Sequence, residues 1–266
     1  MAPAAWNLLL NQGIDMPEIF LLLPFAGSIL VFLLPDKRRS LVGVWTAVLI
    51  VSAGVALAVE VHGQGPIRFN LGGWAEPLGI GISIDGLSVL FILLTGFIGL
   101  LLSIYSQTYF SLPDNSNKGA TFWPLWFMLW GGLNALYCTA DVFNTYVLLE
   151  LTSISAAALA ALNGNLPSLS AALRYFLIAM AGSLAFLLGV GFIYAQTGIL
   201  DMYAVSEILP DSPLTAAAFG LIAVGLISKT ALFPFHFWLP QAHGNAPAPV
   251  SAILSGLVIT GSFFVI

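Results

Sequence analysis

Residues 229–256 of this 266-residue chain read KTALFPFHFWLPQAHGNAPAPVSAILSG, which places a lysine and two histidines in an otherwise apolar, proline-broken stretch. Lys229, His236 and His243 follow one another at intervals of seven residues. Seven residues are close to two turns of an α-helix, so on an unbroken helix the three would share one face. Pro234 and Pro240 break it, because neither has an N–H to donate to the carbonyls of Thr230 and His236. Backbone freed in this way is tolerated at membrane depth only where protein or water satisfies it, and broken helices of this kind mark ion paths in transporters. Imidazole both takes up and releases protons near neutral pH, so the chemistry within reach of this trio is proton transfer. A hydrogen-bonded packing role is the alternative for either histidine, the more so for His243, which lies in the polar run Gln-Ala-His-Gly-Asn.

Two further observations strengthen the proton-transfer reading. Lys229 lies deep in the run AAAFGLIAVGLISKTALFPF, too far from either end for easy reach to lipid headgroups. Glu150 lies in VFNTYVLLELTSISAAALAAL, roughly 12 Å from the start of its helix at 1.5 Å per residue. A carboxylate at that depth is expensive unless paired, hydrated or protonated. Burial disfavours the charged form of a lysine and a nearby carboxylate favours it, so moving Glu150 would switch whether Lys229 holds its proton. That the two are neighbours is inferred from cost alone, since each would be expensive unpaired. Thr152, Ser153 and Ser155 add hydroxyls beside Glu150, and the alanines that follow permit close helix approach. The alternative is a neutral Glu150 that ties two helices together.

The elements that must position these residues follow from composition. The chain is 59% hydrophobic and 7% charged, with seven basic and twelve acidic residues and a net charge of −5. That balance excludes a basic nucleic-acid surface and an acidic solvated tail, and it describes a polytopic, all-α membrane protein. Apolar runs long enough to cross a hydrocarbon core occupy residues 19–34, 41–61, 87–105, 122–137, 142–162, 170–197, 214–233 and 249–266. About eight transmembrane helices are therefore expected, the seventh broken and followed by a short re-entrant piece. Residues 1–105 would hold the first three helices, and residues 106–266 the fourth to the eighth. No Lys or Arg precedes Lys37, so no cleaved signal peptide is expected. With the N-terminus outside, Lys37, Arg38, Arg39, Lys118 and Arg174 face the cytoplasm, and Arg68, Glu76, Asp201, Glu207 and Asp211 face the other way.

Other chemistry is weaker. Asp85, in SIDGLS, reads as the cap of the third helix rather than a proton carrier, and Asp141 as the start of the Glu150 helix. Arg174 marks the cytoplasmic end of the sixth helix, with tuning of a buried carboxylate as its alternative. The glycines around Trp74 lack the strand–GxGxxG–helix context and Lys-Ser/Thr pair of a phosphate loop, and they read as an external hairpin with Trp74 at the interface. Trp123, Trp126 and Trp130 read as lipid-facing or packing residues. Cys138 is the sole cysteine, so it cannot form an intrachain disulfide, and no Cys/His pair has zinc-site spacing. No flavin, iron–sulfur or nucleotide motif is visible, and no cofactor is expected.

The sequence SKTALFPFHFWLPQAHGNAPAPVSAILSGLV resembles the signature of the antiporter-like proton-translocating subunits shared by Mrp-type cation/proton antiporters and respiratory complex I. DVFNTYVLLELTSISAAALAAL is similar to that family's glutamate-bearing fifth helix, and DGLS, the Tyr-Ser-x-x-Tyr segment at 105–109 and the helix order agree along nearly the whole chain. FPFHFWLP and AHGNAPAPVSA are most similar to the Mrp D subunit. The resemblance implies that Glu150 is the key glutamate, Lys229 the lysine of the broken seventh helix, and His236 and His243 the histidines that follow it. It implies an integral subunit of a bacterial inner membrane, working with other membrane subunits on protons and a monovalent cation such as sodium. It departs from the pattern twice. Thr260 stands where the family carries a further lysine on the eighth helix, and a threonine orders water but holds no charge. Family members also have about fourteen helices built around two inverted repeats, so the second half-channel would come from another polypeptide, or the chain is a truncation, or it is a non-pumping remnant. The reading is an antiporter subunit that is no enzyme alone; a proton-pumping subunit of an NADH-quinone oxidoreductase or related redox-driven complex, and a structural or assembly subunit, are its alternatives.

Overall fold

The structure, a computed structural model, describes residues 16–74 and 79–266, without the side chains of residues 36 and 37. The expectations for the N-terminal leader, Glu76 and the Lys37 side chain lie outside the described residues. Helices α1 (Met16–Leu33) and α2 (Asp36–Gln64) are joined by a tight turn at Leu34 and Pro35. Arg39 closes that turn by donating to the carbonyls of Val31 at 2.9 Å and Leu34 at 2.7 Å, which satisfies acceptors left open at the end of α1. The glycine-rich segment is a hairpin, as its sequence indicates. Strands β1 (Ile67–Asn70) and β2 (Gly81–Ile84) pair antiparallel, with Ile67 opposite Ile84 and Asn70 opposite Gly81. Trp74 beside it is exposed.

Helices α3 (Gly86–Tyr109), α4 (Gly119–Cys138), α5 (Val142–Ala160) and α6 (Leu166–Thr197) follow, then the short α7 (Met202–Ile208) and α8 (Pro213–Lys229). Their starts are written in capping residues. Asp85 accepts from the Ser88 N–H at 2.9 Å, Asp141 from Asn144 at 2.6 Å, Asn165 from Ser168 at 2.9 Å and Ser212 from Thr215 at 3.1 Å. Beyond α8 come a 3₁₀ turn (Phe235–Trp238), α9 (Leu239–Asn245), α10 (Ala248–Ile253), a π-helical turn (Leu254–Val258) and α11 (Ile259–Val265).

Each of the eight apolar runs falls on a helix. Among the described residues, six helical segments are long and apolar enough to cross a membrane: Met16–Leu33, Arg38–Gln64, Gly86–Tyr109, Val142–Asn163, Leu166–Thr197 and Ala248–Val265. Helices α4 and α8 stand outside that set. Helix α8 has 17 residues because it ends at Lys229, whereas the apolar run continues to residue 233. Helix α4 packs against α1, α2, α3, α5 and α11, and its tryptophans 123, 126 and 130 are buried packing residues.

One layer of contacts sets the position of α8. Gly182 and Gly189 of α6 face Gly225 and Ala218 of α8, and a Cβ added at Gly225 would lie 2.6 Å from the Gly182 carbonyl oxygen. Such small residues let two helix backbones touch. At one end of the bundle the hairpin, residues 139–141 and residues 200–202 are stitched together, with Ala140 donating to Gly81 at 2.9 Å and Met202 to Ala140 at 2.7 Å. Asp85, Asp141, Asp201 and Arg68 gather there, Arg68 lying 3.2 Å over the Tyr203 ring. At the other end, Lys118 donates to Asn115 and Asn163, each at 3.0 Å, and Asn163 to the Asn245 carbonyl at 2.8 Å.

Gly225→Val tests the close approach. The new side chain forces α6 and α8 apart at a cost of about 1–3 kcal/mol, and the thermal unfolding midpoint of the purified protein falls accordingly. An unchanged midpoint would mean that the two helices have room to spare.

Candidate functional site

Helix α8 ends where its lysine stands. Thr230 caps it by donating both its N–H and its hydroxyl to the Leu226 carbonyl, each at 2.9 Å, and Ala231 then takes a left-handed backbone with φ 53°. Lys229 therefore lies in the last turn of α8, where the negative end of the helix dipole favours a cation. It is 4% exposed. Snorkelling to the surface is thus not its situation. Its ammonium donates to Glu150 Oε1 at 3.3 Å, to Ser153 Oγ at 2.8 Å and to the Leu149 carbonyl at 3.4 Å, which uses all three of its protons.

All three acceptors lie on one turn of α5. The inference that Glu150 and Lys229 are neighbours is met in the geometry, and Ser153, noted for its hydroxyl, is the shorter contact. Ser153 relays the interaction by donating to the Leu149 carbonyl at 2.7 Å. Tyr175 of α6 borders the same group, within reach of Ser153 and of the Glu150 charge, and its ring stacks on Trp238 at 4.4 Å between centroids. Trp238 in turn donates its indole N–H to the Ser228 carbonyl at 3.3 Å. Tyr175 and Trp238 went unnoticed in the sequence because nothing in an apolar helix marks which aromatic turns inward.

The histidines separate. His236 sits in the 3₁₀ turn, exposed, with its ring 5.8 Å from that of Phe233. The spacing of seven does not place it on the Lys229 face, because the helix that would have carried that periodicity stops at Lys229. His243 is partly buried near the end of α9, its Nδ1 3.3 Å from Ser251 Oγ, and its buried Nε2 has no protein partner among the described residues. Pro234 lies within the break, after α8 has ended. Pro240 breaks no α-helix: it stands in the first turn of α9, where a missing N–H costs nothing.

The accessory residues hold structure together. Arg174 is exposed on α6 and donates to Gln241 Oε1 at 2.6 Å, which ties α6 to α9. Thr260 donates to the Gly256 carbonyl at 3.0 Å, just past the π-helical turn. Asp85 caps α3 and borders a cavity of about 450 Å³ with Thr139, Thr145 and Tyr203, at the hairpin end of the bundle. Asp141, outside the membrane-spanning run that begins at Val142, fixes the start of the Glu150 helix. Burial pushes its carboxyl above the ordinary value and the Asp201 charge adds to this, against hydrogen bonds from the N–H groups of Asn144 and Phe143.

Long apolar helices around a buried lysine paired with a half-buried glutamate, with a helix that stops at the lysine, define an integral membrane protein. Residues 139–266 match the family described as the transmembrane region of NADH:quinone oxidoreductase and Mrp antiporter. Over 250 residues the chain is 37% identical to the N subunit of the NADH-quinone oxidoreductase of Desulforudis audaxviator, an alignment covering 91% of this chain and 50% of that one. Over 260 residues it is 32% identical to the D subunit of the Na(+)/H(+) antiporter of Bacillus subtilis, covering 94% and 50%. It superimposes on a chain of the membrane-bound sulfane sulfur reductase, an archaeal respiratory membrane complex, with TM-score 0.87 and 28% identity over 94% of this chain and 52% of the other. The chain belongs to the antiporter-like family of membrane subunits common to Mrp antiporters and NADH:quinone oxidoreductases. It spans about half the length of the curated relatives it matches.

Two measurements probe this geometry. Glu150→Gln leaves the Lys229 ammonium buried without its counter-charge and destabilises the protein by about 3–5 kcal/mol, while the double variant Glu150→Gln/Lys229→Met recovers most of the loss; equal midpoints for Glu150→Gln and wild type would mean that the pair carries no charge. The second concerns pH. A carboxyl raised in the folded state contributes stability that is present below its unfolded value and lost as pH rises through its folded value. Asp141→Asn keeps a capping oxygen and does not titrate, so its thermal midpoint gains on wild type as pH rises through that range. A difference that stays flat with pH would contradict the burial of Asp141.

Proposed function

We propose that this chain is a membrane subunit of a multisubunit monovalent cation/proton antiporter of the Mrp type, conducting protons through a buried relay. The observation that carries the reading is the Lys229 ammonium, held by Glu150, Ser153 and the Leu149 carbonyl inside the bundle. In the paired state the carboxylate stabilises the ammonium against desolvation. When Glu150 is protonated or swings away, only two neutral acceptors remain, and the lysine gives up its proton to water. His243, whose Nε2 has no protein partner among the described residues, receives it, and the exposed His236 hands it on. Thr260 orders water in the path without holding charge. Arg174, through Gln241, fixes the segment that carries His243. Residues 106–266 contribute most of this half-channel. The subunit lies in a bacterial inner membrane with its N-terminus outside and the Lys118 end of the bundle in the cytoplasm, among other membrane subunits of the assembly.

A second reading is supported by the 37% identity to an NADH-quinone oxidoreductase subunit: the same relay driven by redox chemistry in partner subunits. Proton flux in everted vesicles carrying the whole complex separates the readings. Under the antiporter reading, flux follows addition of sodium or potassium, and Glu150→Gln and Lys229→Ala reduce it to the level of vesicles without the complex at equal assembly. Flux that follows NADH or another reductant selects the redox-driven reading. Unchanged cation-driven flux in both variants would make this chain a scaffold.

A further inference from the structure

The antiparallel seam between α3 and α4 is polar at three levels. At one, Thr95 Oγ1 donates to the Tyr137 hydroxyl at 3.2 Å; at another, the Trp126 indole donates to Ser103 Oγ at 3.0 Å. Between them on α4 lie Trp130 and Asn134, one helical turn apart and 0% and 1% exposed. Neither the Trp130 Nε1 nor either end of the Asn134 amide has a protein partner among the described residues. The reason lies on α3, which presents Gly96 and Gly99 at this level; a Cβ at Gly99 would lie 2.8 Å from the Trp130 ring. Gly99, which admits the indole, has no side chain to answer its N–H, and Gly96 on the same helix faces Val51 of α2. Beside the two residues is a cavity of about 10 Å³, walled also by Gly54, Ile92 and Gly96. That is close to the smallest space that holds one water.

We infer that Asn134 and Trp130 form a binding site for a single internal water molecule where α3 and α4 meet Phe20 of α1 and Ile50, Val51 and Gly54 of α2. The water accepts from the indole N–H and donates to the amide oxygen, two of the bonds that a buried water requires. Dispersed apolar walls alone would leave such a pocket dry, but two orphaned polar groups in a low-dielectric interior make hydration the cheaper state. The water completes a column from Tyr137 and Thr95 to Trp126 and Ser103. That column contains no carboxylate, lysine or histidine, so its water locks two helices and is separate from the Glu150–Lys229 group.

The test is a density map of the assembled complex that resolves ordered water elsewhere in the membrane domain. A single peak within hydrogen-bonding distance of Asn134 and the Trp130 indole is expected; its absence from such a map overturns the inference. Asn134→Leu, close in size, supplies an independent readout. With a water in place, the substitution removes the peak, strands the Trp130 N–H and lowers the thermal midpoint. A rise in the midpoint would mean that a dry, unpaired amide had been relieved, and the site would not be a water site. Should the variant fail to assemble, the wild-type map decides alone.

Discussion

The cost of holding one ammonium in a protein interior governs much of this fold. Lys229 is 4% exposed and its charge is met by one carboxylate, one hydroxyl and one carbonyl, all from the same turn of α5. For those acceptors to arrive together, α5 must start in the right place and α8 must stop in the right place. Asp141 supplies the first condition as the cap of α5, anchored by strand-like pairing with residues 200–202 and the hairpin. The glycine contacts between α6 and α8 supply the second by fixing the height of α8 beside its neighbour. A helix end at Lys229 adds a favourable dipole where a mid-helix lysine would have none. The ion pair is thus the point on which interactions from several separate elements converge.

Much of this was legible in the chain. Length and apolarity located the helices, and short-range chemistry located their starts: Asp85 and Asp141 cap as their surroundings indicate. The Glu150–Lys229 contact followed from an energetic argument alone, because two lone buried charges of opposite sign are costlier than a pair. What escaped was set by backbone geometry and packing at long range. The spacing of seven assumed a helix running through Lys229, whereas the chain turns left-handed at Ala231 and sends His236 outward. Pro240 resembled a breaker in sequence and serves as a helix opener, a distinction that depends on the turn in front of it. Nothing local distinguishes Asn134 from any other polar residue in a helix; its lack of a partner arises from the apolar and glycine residues that other helices set around it.

The two buried polar seams divide the bundle by charge. Between α3 and α4 the groups are neutral, with two bonded pairs, Thr95–Tyr137 and Trp126–Ser103, on either side of the unpartnered Trp130 and Asn134. Between α5 and α8 the groups are charged and the ammonium contacts to Glu150 and Leu149 are long, at 3.3 and 3.4 Å, beside a shorter one to Ser153. Ala231, two residues from Lys229, occupies a left-handed conformation that costs an alanine roughly 1–2 kcal/mol. Backbone in such a state persists only where its surroundings enforce it, here the capping bonds from Thr230 to Leu226 and from Leu232 to Ile227. The buried ammonium therefore stands two residues from the one non-glycine residue that takes a positive φ among the described residues, so the costliest charge and the costliest backbone share one turn.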